Sequence, residues 1–379
     1  MDNDIRAIAM YLPQFHPVEE NDTWWGKGFT EWRATSRARP AFEGHLQPHE
    51  PADLGFYDLR VPEVREAQAN LAREYGIHGF CYYHYWFDGK RILERPLDEV
   101  LGLGSPDFPF CLAWANEPWV RSWTGQPDDT LVPQSYGEGW ETRFFLDTLP
   151  YLKDPRYIRV KGMPLLLVSR ALAIPDVGRC AAIWRALATL HGLDGLYLAA
   201  VQSKDMVDPR LCGFDAAVEF PPFGAPILRY PNASLPGKAP EFQGTVASYE
   251  GFVDTCLEKD NPPYTWFRGV MPGWDNSPRR GNHAMLFADG SPAIFARWVA
   301  GVTSWTRHHR EGSERLMFIN AWNEWGEGAH LEPDLASGHA YLEAARKGLR
   351  ETAMPAENER EVEAIQAGGE AFEHYAPAG

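Results

Sequence analysis

Residues 164–220 carry the segment order that decides the fold: PLLLVS (164–169), a stretch of helical spacing (177–191), GLYLAAVQ (195–202) and DAAVEF (215–220). Each apolar run is short and continuous rather than alternating, the pattern of a parallel strand covered on both faces. Between the first two runs apolar residues recur every three to four positions, as in an amphipathic helix. Strand, crossover helix and returning strand make a βαβ unit.

Working outward, the unit repeats. Further runs are RAIAMY (6–11), GFCYYHY (79–85), FPFCLAW (108–114), FRGVM (267–271) and LMFINAW (316–322), giving eight in all. Helical spacing marks 61–75, 249–259, 293–308 and 339–350; in the first, Pro62 stands at the start and Gly76 just past the end. Eight strands alternating with helices predict an α/β fold, a single (β/α)8 TIM barrel over 1–352 with long loops at the C-terminal face of the strands. A doubly wound open sheet is the competing architecture, weakened by the absence of a GxGxxG or GxxxxGK[ST] turn after any strand. Two excursions are long, 12–60 and 221–248; the second is rich in proline and is expected to be a stiff, irregular segment able to act as a lid. Residues 353–379 read as an acidic C-terminal extension, a peripheral helix or loose tail.

The 379-residue chain carries a formal charge of −16, with 36 Lys plus Arg against 52 Asp plus Glu. Such a surplus repels phosphate backbones, so no nucleic acid is expected as partner, an acidic ligand is disfavoured, and a neutral glycan is preferred to a polyanion. No apolar run reaches the roughly 18 residues of a membrane span, and the start lacks the n- and h-regions of a signal peptide. The expected location is cytoplasmic as the sequence stands, or periplasmic or secreted if a signal peptide has been removed. Five scattered cysteines with no CxxC read as buried apolar residues.

In a barrel the chemistry sits where strands end. There the sequence places His16; Trp24, Trp25, Glu31 and Trp32; His84, Tyr85 and Trp86; Asn116, Glu117 and Trp119; Glu219; Trp274 and Asp275; and Asn323, Glu324, Trp325 and Glu327. Ten of the fifteen tryptophans fall at or near these ends: Trp24, Trp25, Trp32, Trp86, Trp114, Trp119, Trp123, Trp274, Trp322 and Trp325. Flat aromatic faces interleaved with carboxylates, amides and imidazoles suit a sugar, whose C–H faces stack and whose hydroxyls need partners. An oligo- or polysaccharide is therefore the expected substrate.

Glu324 and Glu327, in NEWGEG (323–328), are the strongest carboxylate pair. Glycoside cleavage needs one group to protonate the departing oxygen and a second carboxylate to stabilise or generate the nucleophile. The glycines favour a tight turn that brings both to the pocket rim. His16, His84 and His330 come from separate loops with no spacing that demands a metal, so no metal or cofactor is expected. Lys90-Arg91 and Arg279-Arg280 are basic pairs expected on the pocket side.

The segments YLPQFHP (11–17), NDTWWGKGFTEW (21–32), GFCYYHYWF (79–87), WANEPW (114–119), GWDNSPRR (273–280) and NAWNEWGEGAHLEPD (320–334) resemble the WbsX-type domain. That domain is placed among lipopolysaccharide-biosynthesis glycosyltransferases and is related to glycoside hydrolase family 99. The resemblance implies a (β/α)8 barrel and retaining, endo-acting cleavage of α-mannosidic bonds. It further implies that Glu324 is the base for the sugar 2-OH, which attacks C1 to give a 1,2-anhydro sugar, and that Glu327 is the acid and then the base for water. Asn116-Glu117 offers a rival pairing, Glu117 as acid/base with Glu324 as nucleophile. Glycosyl transfer in cell-surface polysaccharide assembly and a non-catalytic carbohydrate-binding barrel are the alternative functions.

Overall fold

The computed structural model describes residues 4–121 and 130–351, so Trp123 and the acidic extension 353–379 lie outside the described residues. Nine parallel strands form a barrel: β1 (Arg6–Tyr11), β2 (Gly79–Phe87), β3 (Phe110–Trp114), β4 (Met163–Val168), β5 (Tyr197–Gln202), β6 (Ala216–Glu219), β7 (Trp266–Phe267), β8 (Gly269–Val270) and β9 (Leu316–Ile319). Their order is β7-β6-β5-β4-β3-β2-β1-β9-β8. Since only Arg268 separates β7 from β8, these two are halves of one stave, and the sheet closes through them into an eight-stave barrel.

Among the described residues seven helices flank it: α1 (Pro62–Glu74), α2 (Arg95–Leu103), α3 (Trp140–Leu152), α4 (Val177–Leu190), α5 (Tyr249–Leu257), α6 (Pro292–His309) and α7 (Ala340–Arg350). Sequence signals start several of them. Asp176 caps α4 through the Arg179 N–H, Ser248 caps α5 through Gly251, and Ser291 caps α6 through Ile294. Periodicity located five helices and missed two. In α2 only nine residues are helical, and α3 contains Pro150, which breaks the pattern. Between β5 and β6 a single 3₁₀ turn, Pro209–Cys212, replaces the helix.

The closing stave is held by side chains. The Ala217 N–H still bonds the Thr265 carbonyl and the Phe318 N–H the Arg268 carbonyl, both at 2.9 Å. The Gly269 N–H, however, donates to Glu219 Oε2 at 3.1 Å. That carboxylate also accepts from Arg268 Nε at 2.7 Å and Lys259 Nζ at 2.5 Å. Burial alone would raise the Glu219 pKa, but the two cations outweigh it and hold the group below its ordinary value. A Cβ on Gly269 would lie 2.2 Å from the Glu219 carbonyl oxygen, so only glycine fits there.

The excursion over 221–248 is a buttress rather than a lid. Its strand Thr245–Ser248 pairs in parallel with Met285–Ala288, and Phe242, Val246, Ala284 and Leu286 form a small core beside the barrel. All five cysteines are buried and free. Among the described residues no helix is long and apolar enough to cross a membrane.

Removing the seam carboxylate leaves a buried cation, Arg268, and a partly buried one, Lys259, without their anion. Glu219→Gln is expected to cost about 3–5 kcal/mol of unfolding free energy in urea denaturation; a loss below about 1 kcal/mol would show that the stave closes without it.

Candidate active site

The C-terminal ends of the strands open into a cleft of about 910 Å³. Its floor is a hairpin just beyond β9. Strand β10 (Asn323–Glu324) pairs antiparallel with β11 (Ala329–His330) across a 3₁₀ turn, Trp325–Glu327. Both turn glycines are required. A Cβ on Gly326 would lie 2.2 Å from Glu31 Oε2 and 2.7 Å from Arg279 Nε, and Gly328 has φ +60° with Asp275 packed against it.

The hairpin is pinned from behind. Asn323 bonds both the N–H and the carbonyl of Leu12, at 2.7 and 3.0 Å, fastening it to the chain leaving β1. Trp325 is buried with its ring stacked on His330, centroids 3.8 Å apart. Its indole N–H donates to Glu332 at 2.7 Å, and the same carboxyl accepts from Trp322 Nε1, Gln68 Nε2 and Tyr57 Oη. Burial pushes Glu332 up to about 7.

Three carboxylates meet one guanidinium. Arg279 reaches Glu31 Oε2 through Nε at 3.1 Å, Glu324 Oε2 at 2.7 Å and Glu327 Oε1 at 2.7 Å. Arg279 sits in the short helix Ser277–Arg280, whose entry is built by Asp275: its carboxylate accepts from the Ser277 N–H, His45 and Gln47, while its own N–H donates to the Glu327 carbonyl at 2.6 Å. Burial, only partly offset by Arg279, pushes Glu324 up to about 8, with the charges of Glu327 and Glu31 adding to it. Glu327 is raised for the same first reason. Its side chain remains 24% exposed against 7% for Glu324, so Glu327 is the more open of the two to the cleft that both line.

Across the cleft Glu117 is paired with Lys204 Nζ and, at 3.5 Å, with Arg170. Asn116 locks the Arg170 backbone through two reciprocal bonds, at 2.8 and 2.9 Å. Tyr83, Tyr85, Trp25, Trp119 and Trp274 supply the aromatic walls. Burial first, then the nearby Glu324 charge, holds both phenols well above their ordinary pKa, so they remain hydrogen-bond donors. Around the cleft several polar atoms shielded from its open space have no hydrogen-bond partner among the described residues: both amide atoms of Asn21, Ser203 Oγ and Trp274 Nε1.

Of the residues singled out from sequence, the cleft gathers Trp25, Glu31, Tyr85, Glu117, Trp119, Trp274, Glu324 and Glu327. The others stand elsewhere. His84 and Trp86 lie on the outer face of β2 against Phe144 of α3, because strand side chains alternate and Tyr83 and Tyr85 take the inner face. Tyr83 was missed although that alternation points to it. Glu219 closes the barrel seam, Asp275 organises the Arg279 turn, and Asn323 and Trp325 support the hairpin from behind. Asn116 braces Arg170. Trp32 packs among Phe15, Tyr57 and Trp325. Trp24 sits behind Trp119. His16 is buried, and neither it nor His84 joins a cluster of metal-type ligands among the described residues.

Lys90 and Arg91 pair with Glu20 and Asp98, away from the cleft, whereas Arg279 is its centre. Arg33 and Arg37, not anticipated, line it as well. Among the described lining residues Arg33, Arg37, Lys204, Arg279 and Arg280 face Glu31, Glu117, Glu324 and Glu327, so the cleft does not share the negative sign of the whole chain. The preference for a neutral glycan drawn from net charge does not carry over to it.

The family described as "Glycosyltransferase WbsX" matches residues 7–345. The uncharacterized protein WxcX of Xanthomonas campestris pv. campestris, in each of two strains, is 45% identical over 350 residues, 90% of this chain and 49% of the relative. The chain thus spans about half the length of the curated relatives it matches. Among solved structures, a glycoside hydrolase-like protein aligns with a TM-score of 0.60 at 15% identity, over 92% of this chain and 95% of that one. The GH99 endo-alpha-mannosidase from Bacteroides thetaiotaomicron aligns with a TM-score of 0.54 at 13% identity, over 96% and 99%. At these identities the likeness is one of fold, and it supports the barrel.

The raised carboxyls make stability pH-dependent. A folded-state pKa near 8 for Glu324, against an ordinary 4.5, means that its contribution is fully present below pH 4.5 and is lost as the pH rises through 8. Glu332 titrates within the same window. Glu324→Gln is therefore expected to flatten part of the fall in thermal midpoint between pH 5 and 8.5; an unchanged slope would contradict the assigned direction.

Proposed function

The chain belongs to the WbsX family, and on that premise we propose that it is an enzyme acting on glycosidic bonds, a retaining glycoside hydrolase of an α-linked, mannose-like glycan. The observation that carries this is the position of Glu324 and Glu327 on one hairpin, sharing Arg279, beneath a cleft walled by aromatic rings of the kind on which sugar C–H faces stack. Burial raises both carboxyls, Glu324 to about 8, so the pair keeps a proton near neutrality; the proposed first step uses the form in which that proton sits on Glu327 and Glu324 is ionised.

In this reading Glu324 takes the proton of the sugar 2-OH, O2 attacks C1, and the C1–oxygen bond to the leaving group breaks while Glu327 protonates that oxygen. Water then opens the 1,2-anhydro sugar at C1, giving its proton to Glu327, and Glu324 returns its proton to O2. Arg279 stabilises whichever of the two carboxyls is ionised at each stage, and Tyr83 and Tyr85, which line the same cleft, supply phenol O–H donors for sugar oxygens.

A second reading follows from the family's description as a glycosyltransferase: the same cleft would deliver the sugar to an acceptor hydroxyl in place of water. Only the second step differs.

The test is incubation with α-mannosides and related oligosaccharides, with product anomers followed by NMR. Glu324→Gln and Glu327→Gln are each expected to lower kcat/KM by about 10²–10⁴-fold, with net retention in the wild type. Loss of turnover in Glu117→Gln with only weak effects at Glu324 would install the rival pairing. Product forming only with a sugar acceptor present would favour transfer.

A further inference from the structure

We propose that His49, His330 and Asp334 form a zinc site behind the catalytic hairpin. One ligand atom from each converges, all three lying within 4.8 Å of one another. His49 Nδ1 faces His330 Nε2 at 2.9 Å, and Asp334 Oδ2 lies 3.8 Å from that same Nε2.

The hydrogen bonds around the cluster fix its lone pairs. His330 Nδ1 lies 2.9 Å from the Glu332 carbonyl, which can only accept, so Nδ1 carries the proton and Nε2 presents a lone pair toward His49. An imidazole oriented by donating its other N–H to a backbone carbonyl is the usual support of a metal ligand. Asp334 is oriented likewise, with Oδ1 accepting from the Ser337 N–H at 2.5 Å. His49 donates from Nδ1 when no ion is bound; on binding, its proton shifts to Nε2 and the Nδ1 lone pair becomes the third ligand.

The spacing suits a small tetrahedral ion. Atoms about 2.1 Å from zinc lie about 3.4 Å from one another, so the 2.9 and 3.8 Å separations bracket the required value. Two imidazoles with one carboxylate favour zinc over magnesium or calcium, which take oxygen ligands. The backbone already holds the two strands of the site together: the Ala52 N–H bonds the Pro333 carbonyl and the Leu335 N–H the Glu50 carbonyl, both at 2.9 Å.

Such an ion has a definite mechanical role. His330 is the cross-strand partner of Asn323, next to Glu324, and its ring is stacked on Trp325. Zinc at His330 ties the hairpin that carries both glutamates to the 49–52 segment.

Isothermal titration of the chelator-treated full chain with Zn²⁺, read without any sugar, tests this independently of the proposed activity. One equivalent is expected to bind and raise the thermal midpoint, and Co²⁺ in its place is expected to show the visible bands of a four-coordinate ion. His49→Ala and Asp334→Asn, chosen because they leave the Trp325 stacking partner intact, should each weaken binding at least about tenfold with an unchanged circular dichroism spectrum. The absence of saturable one-to-one binding in the wild type, or binding unaltered in both variants, would overturn the proposal.

Discussion

One guanidinium stands among three carboxylates, and the cleft is arranged around it. Two like charges about 4 Å apart repel by about 4 kcal/mol where the effective dielectric is about 20. Glu31, Glu324 and Glu327 could not share a buried corner as anions on those terms. Arg279 offsets part of that repulsion; what is left adds to burial, the larger cause, in holding Glu324 and Glu327 above their ordinary values. What remains is held as a proton, the commodity that glycosidic chemistry moves.

Holding such a cluster in place takes a rigid surround, and each part of the surround answers a different physical need. Gly326 vacates the space that Arg279 and Glu31 occupy. Asp275 builds the turn before Arg279 and bonds the Glu327 backbone, so cation and carboxylate are positioned by one residue. Glu332 gathers the indole N–H groups of Trp322 and Trp325, which would otherwise be buried without acceptors.

The strands were legible because a stave covered on both faces demands a short, unbroken apolar run, and β1 was located to the residue. The two last-strand glutamates were legible on separate grounds: their turn is spelled out by glycines. The faces were not. His84 and Trp86 read as strand-end residues because a run of aromatics hides which of them point inward; only the continuation of β2 to Phe87 settles the alternation. Clustering of tryptophans overstated the binding surface for a related reason. Trp114, Trp322 and Trp325 are fully buried and pack the barrel, leaving Trp25, Trp119 and Trp274 to face the cleft. Glu219 looked like a strand-end ligand because its partners, Lys259 and Arg268, lie far along the chain from it.

That last residue gives the barrel an unusual joint. Around most of the ring adjoining staves are stitched by amide-to-carbonyl bonds, whose acceptors are fixed in the main chain and carry no net charge. At Gly269 the acceptor is a side chain, free to rotate and dependent on two cationic partners, one just past the end of α5 and one from the stave itself. Closure of the ring is therefore an electrostatic latch set into a hydrogen-bonded hoop, and because Glu219 and Arg268 are both buried, added salt screens that latch far less than it would a surface ion pair.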